Sequence, residues 1–148
     1  MKVFFAFLIL FTVNGAHALT QPDWAKTPGL LCSHQDPNFS KFDYPERVAR
    51  CARNVGLPEK QAIAHEYGDI PQADWPGYEF DHLIPLCVGG SDDISNLWPQ
   101  PIADAHLKDV IENDVCIAMK AGTLSQAAAV QKIRDWFTSQ QLVKLGVQ

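Results

Sequence analysis

The chain has 148 residues, 47% of them hydrophobic and 20% charged, with a formal net charge of −5 at pH 7. That is enough for one ordinary domain with its own core, and no internal repeat, coiled coil or long linker is present. The acidic balance excludes a broad basic surface of the sort that supplies much of the affinity of most nucleic-acid binders.

Residues 1–18 start with Lys2, run apolar from Val3 to Val13 and close on Ala16-His17-Ala18, the charged start, apolar stretch and small-x-small end of a secretory signal peptide. The apolar run is shorter than the roughly 20 residues of a permanent membrane span. Residues 19–148 are therefore expected to form a single exported domain, secreted or periplasmic, with no stable membrane association after signal removal. Without Lys2 the remaining 130 residues carry 11 basic and 17 acidic side chains, a net charge of −6.

Residues 20–44 are rich in Pro, Asp, Ser and Asn and read as an irregular arm. Pro45 is placed to open a helix over residues 45–54, with Val48, Cys51 and Ala52 inward. Arg47, Arg50 and Arg53, three apart, then stripe its outer face, as a solvated surface or as a phosphate-contacting ridge. Gly56-Leu57-Pro58 breaks that helix and Pro58 opens another over residues 59–67, in which His65 reads as a surface or core-edge histidine. A loop over residues 68–77 follows; Trp75 in it, like Trp98 further on, is either a plug at a core edge or a stacking platform.

Phe80, Leu83, Ile84 and Leu86 mark a short strand over residues 80–86, which points Asp81 and His82 to opposite faces. Gly89-Gly90 permits a turn, Ser91-Asp92-Asp93 can cap it, and residues 96–98 form a second strand that Pro99 and Pro101 stop. A helix from residue 102 to about 121 carries an expected inward stripe of Leu107, Ile111, Val115 and Ala118, with His106 one position off it. Asp109 and Glu112 fall on its exposed side, and Glu79 reads as a hairpin-edge salt bridge in preference to a metal-assisting group or a partner of Lys108. Gly122 stops this helix, Thr123 or Ser125 can cap a last one over residues 124–137, and Ala127, Val130, Ile133 and Phe137 give that one a core stripe. The fold class is α+β, a mainly helical small domain around a hairpin-helix core.

Asp81-His82, the Gly89-Gly90 turn, Asn96 and then His106 and Lys108 on a helix together resemble the HNH endonucleases, which share a ββα metal finger; here it would span residues 78–121. Beyond that core, Pro28-Gly29 through Tyr44-Pro45 to Tyr78 is similar to small secreted bacterial proteins carrying the same element. The resemblance implies a role for each residue. His82 matches the general base that takes a proton from the attacking water, and Asp81 a metal ligand. Asn96 matches the asparagine that braces the loop, His106 the last metal ligand, and Lys108 a basic residue that commonly follows. The implied cofactor is a divalent cation, Mg²⁺ first, with Mn²⁺, Zn²⁺ or Ni²⁺ as alternatives.

The implied activity is phosphodiester hydrolysis of nucleic acid, DNA in preference to RNA, by a monomer with little sequence readout. Such chemistry needs a cation to neutralise the phosphate and a base to activate water, and an imidazole near its ordinary pKa of about 6.5 can be that base. The alternative reading is a noncatalytic exported binding module on a degenerate finger. Cys32, Cys51, Cys87 and Cys116 suggest two disulfides in an exported chain. Of three possible pairings, Cys32 with Cys51 and Cys87 with Cys116 is favoured, since the second would tie the hairpin turn to the helix that follows; a zinc site would lack any Cys-x-x-Cys pair.

Overall fold

A computed structural model describes residues 21–144, with side chains to residue 142; the expected signal segment, residues 1–18, lies outside them. The described residues form a small mixed α+β domain. A first hairpin pairs β1 (Phe39–Asp43) with β2 (Val48–Cys51), and α1 (Leu57–Glu66) follows. A second pairs β3 (Tyr78–His82) with β4 (Leu97–Pro101), and α2 (Ile102–Lys120) and α3 (Gln126–Lys144) complete the order.

The first hairpin replaces the helix expected over residues 45–54. Tyr44 and Arg47 both adopt left-handed backbone, at φ 63° and 56°, and the Arg47 amide donates to the Tyr44 carbonyl, so the chain reverses where a helix was expected to start. Long-range partners decide the matter: Cys51 is bonded to Cys32, and the Ala52 amide donates to the Asn38 carbonyl. The arginine stripe dissolves with the helix. Arg47 lies over the Phe42 ring, Arg50 pairs with Asp43 at 3.2 Å, and Arg53 reaches away to His82.

In the second hairpin β3 begins two residues before the expected strand, and β4 runs through both prolines, with Pro99 opposite Phe80 and Pro101 opposite Tyr78. Each strand of a two-stranded sheet has a free edge, so prolines at alternate positions cost no ladder donor there. Alternation gives the hairpin two faces. Phe80 and Leu97 pack with Ile63 and Ala64 of α1, while Trp98 on the other face packs with Val115 and Met119 of α2 and Ile133 and Phe137 of α3. Trp98 is fully buried, its ring 5.9 Å from that of Phe137, and plugs the core.

α2 has the expected extent but a partly rotated inner face, whereas α3 runs on to Lys144, past the expected end at residue 137, with Ile133 and Phe137 inward as expected. On α2 the buried residues are Asp104, Ala105, Lys108, Val115 and Met119, and Leu107 is 52% exposed. The apolar positions of this helix fall on both sides, leaving Leu107, Val110 and Ile117 outward. Periodicity alone therefore could not choose the side, and the buried Lys108 ion pairs settled it. On α3, Ala129 takes the inward place expected of Ala127, beside Ile133 and Phe137, and Ser125 Oγ caps the helix by accepting from the Ala128 amide.

The favoured disulfides are both present, with Cα separations of 5.8 Å for Cys32 and Cys51 and 5.7 Å for Cys87 and Cys116. The first ties the arm to β2 and the second ties the turn after β3 to α2. Closing loops of this length stabilises the fold by about 3–4 kcal/mol each in the chain-entropy view. No helix among the described residues is long and apolar enough to cross a membrane.

Candidate active site

β3 ends on Asp81 and His82, and the chain then turns through Leu83 and Ile84 under the control of one side chain. Asn96 Oδ1 accepts from the Ile84 amide at 2.9 Å, and its Nδ2 donates to the Ile84 and Ser91 carbonyls at 3.0 and 2.8 Å. Asn96 is fully buried and does not line the cleft beside His82, so it acts on the cleft only by holding the loop.

The loop that Asn96 closes carries Asp92 to His82. His82 Nε2 lies 2.7 Å from Asp92 Oδ1, and Asp92 Oδ2 accepts from the Asn54 amide at 2.7 Å. On the other side of the ring Arg53 Nη1 is 3.2 Å from His82 Nδ1, while Arg53 Nη2 donates to the Phe80 carbonyl at 3.1 Å. A guanidinium only donates and a carboxylate only accepts. Nδ1 therefore holds the lone pair, and Nε2 carries the hydrogen given to Asp92. Burial pushes the imidazole below its ordinary range, and the Arg53 charge adds to this against the pull of Asp92, so His82 is neutral near neutral pH.

Asp81, on the opposite face of β3, meets α2. Lys108 Nζ donates to Asp81 Oδ2 and to the His82 carbonyl, each at 2.6 Å, and to Glu112 Oε1. Burial alone would lower the Lys108 pKa, but the Asp81 and Glu112 carboxylates outweigh it and hold the ammonium above the ordinary lysine range. Burial likewise pushes the Glu112 carboxyl up, against the pull of Lys108. Asp81, His82, Arg53, Glu112 and Asn113 share one cleft of about 290 Å³, walled by the disulfide between Cys87 and Cys116.

No protein family, curated protein or solved structure matches this chain. Its chemistry is therefore argued from the cleft. A hard divalent ion takes oxygen ligands and keeps several waters. The three oxygens that converge here are taken by the Lys108 ammonium, but Asp81 and Glu112 each keep a second oxygen with no hydrogen bond among the described residues, and those are the atoms such an ion could use.

His106 is not part of that donor set. It is largely exposed, its Nδ1 lies 3.6 Å from Asp109, and it lines a different cleft. The reason is helical: at about 100° per residue, position 106 is turned some 160° away from Lys108, and Ala105 is the residue aimed at the sheet. Lys108 itself is buried in its ion pairs and does not line the cleft. Glu79 lines the same cleft as His106, and Glu112, expected on the exposed side of α2, faces Asp81 across Lys108. His65 pairs with Asp69 in solvent at 2.6 Å, away from both clefts. Among the described residues the one group of three ligand-type atoms within 4.8 Å of one another is Cys32, Asp36 and Cys51, but its two sulfurs are bonded to each other and offer no thiolate.

Three residues of the site, two lining the cleft and one behind His82, went unassigned in the sequence. Glu112 had a readable signal, its i,i+4 spacing from Lys108. Arg53 was visible only as part of a stripe that does not form, and Asp92 is one of two adjacent aspartates that nothing local distinguishes. If Lys108 chiefly balances Asp81 and Glu112, Lys108→Met in EDTA should cost about 3–5 kcal/mol of stability, the loss expected when one partner of a buried ion pair is removed. Millimolar Mg²⁺ should restore part of it, as read by urea unfolding. An equal loss with and without the ion would separate the two carboxylates from cation binding.

Proposed function

We propose that the protein is an exported, metal-dependent endonuclease that hydrolyses phosphodiester bonds of nucleic acid with little sequence preference, using a ββα core over β3, β4 and α2. One observation carries the reading: a neutral histidine, locked by Asp92 with its Nδ1 lone pair turned toward Arg53, stands beside two carboxylates suited to a hard cation, and that arginine is suited to phosphate. A divalent ion held by Asp81 and Glu112 would supply the positive charge that the phosphate and the departing oxygen need.

The remaining steps belong to the chain. Arg53 uses two of its five donors on His82 and the Phe80 carbonyl, which leaves others for a phosphate oxygen. As Arg53 Nη1 turns from His82 to the phosphate, the freed Nδ1 accepts the proton of a water whose oxygen bonds to phosphorus while the bond to the leaving sugar oxygen breaks. Asp92, accepting from Nε2, steadies the imidazolium that results. The acidic net charge of the chain makes substrate binding dependent on this local arrangement, and so weak and salt-sensitive. Two disulfides and the lack of a membrane-crossing helix among the described residues suit an extracytoplasmic protein.

The test is nicking of supercoiled plasmid by the purified protein. Open-circular product is expected with Mg²⁺ or Mn²⁺ and none with EDTA. Absence of cleavage of both the plasmid and a single-stranded oligodeoxynucleotide with Mg²⁺, Mn²⁺, Zn²⁺ and Ni²⁺ alike would overturn the reading in favour of a noncatalytic binding module.

A further inference from the structure

A second cleft, of about 580 Å³, adjoins the first and shares Arg53 with it; Lys60, Trp75, Tyr78, Glu79 and His106 contribute to its walls. Its chemistry differs from that of the His82 cleft. Trp75 is held in place by an edge contact with Phe80, ring centroids 5.0 Å apart, and by its Nε1 donating to the Ile70 carbonyl at 3.2 Å, yet it remains half-buried and contributes to the wall. Lys60 reaches over the same Phe80 ring at 5.8 Å. In a chain of net acidic charge, Arg53 and Lys60 set two cations here against the single carboxylate of Glu79.

We infer that this second cleft binds an unpaired nucleotide next to the scissile phosphate, and that the protein therefore acts on single-stranded or frayed nucleic acid. The inference rests on the nuclease reading for the position of that phosphate. Arg53 is the hinge of the argument: one guanidinium borders both clefts, so a strand whose phosphate meets Arg53 beside His82 places its neighbouring nucleotide against Lys60, Trp75 and Tyr78. In a duplex the bases are stacked on one another and cannot offer a face to an aromatic wall, whereas an unpaired base can. Fixed aromatic rings lose little freedom on stacking, and Lys60 supplies a cation for the adjoining phosphate.

Binding can be measured without cleavage, by fluorescence anisotropy of a short labelled oligodeoxynucleotide with the metal-free protein in EDTA, as a single strand and annealed to its complement. The single strand is expected to bind about tenfold tighter or more, and Tyr78→Ala and Lys60→Glu are each expected to weaken it about fivefold or more. Trp75 also packs on Phe80, so Trp75→Ala could fail to fold; Lys60→Glu, checked by urea unfolding, keeps the test decisive. Equal affinity for strand and duplex, or single-strand affinity unmoved by both variants, overturns the inference. If plasmid nicking stands while those variants change nothing, only the cleft assignment falls. Single-strand binding that depends on Lys60 and Tyr78, without cleavage by any divalent ion, upholds the cleft and removes the nuclease.

Discussion

His82→Ala is expected to lower plasmid nicking by about 10²–10⁴-fold, the range over which a positioned general base contributes. The expectation follows from the tautomer. Nε2 is committed to Asp92 and Nδ1 carries the lone pair, so no other atom of the ring can take the proton from water. Among the side chains lining this cleft, Asp81 and Glu112 are assigned to the cation, Arg53 cannot accept a proton, and Asn113 is no base. The substitution also leaves Asp92 buried with only the Asn54 amide as partner, so some stability goes with it. Urea unfolding separates the two effects: the variant should still unfold cooperatively at a concentration well above that of the assay. Activity within a few-fold of wild type in a folded His82→Ala protein would remove His82 from the chemistry.

Gly90→Ala is expected to destabilise the fold by about 4 kcal/mol or more, in the range reserved for severe steric insertions into a packed interior. A Cβ at this position would lie 1.8 Å from the Ile84 carbonyl oxygen and 2.7 Å from Asn96 Nδ2. Those two atoms are hydrogen-bonded to each other at 3.0 Å, and the neighbouring Asn96 bonds hold the Ile84 amide and the Ser91 carbonyl. The chain cannot make room without releasing the brace that carries Asp92 to His82. Gly77→Ala serves as the control, because nothing lies within 4 Å of its added Cβ. Urea midpoints of the two variants give the comparison, and a Gly90→Ala protein within about 1 kcal/mol of wild type would show that the brace is not tightly packed.

How far the site could be read ahead of the structure differs from residue to residue. Asp81 and His82 stand together in sequence and share one cleft, and Asn96 holds the loop through hydrogen bonds to Ile84 and Ser91. His106 had the right residue type on the right helix, but one helix position is enough to send a side chain to another cleft. Arg53 and Asp92 reach His82 from 29 and 10 residues away in sequence, each placed by a turn made elsewhere in the chain.

Local chemistry by itself determined the second hairpin and the extents of α1 and α2 to within a few residues, because turn glycines, prolines and apolar spacing act over a few neighbours. Tertiary structure alone decided that residues 45–54 turn back as a strand, that α2 buries Lys108 in place of Leu107, and which side chains meet at His82. Those outcomes depend on the bond between Cys32 and Cys51, on two carboxylates around one ammonium and on hydrogen bonds between distant segments. Such interactions outweigh propensities of a few tenths of a kcal/mol per residue, and no periodicity in the chain records them.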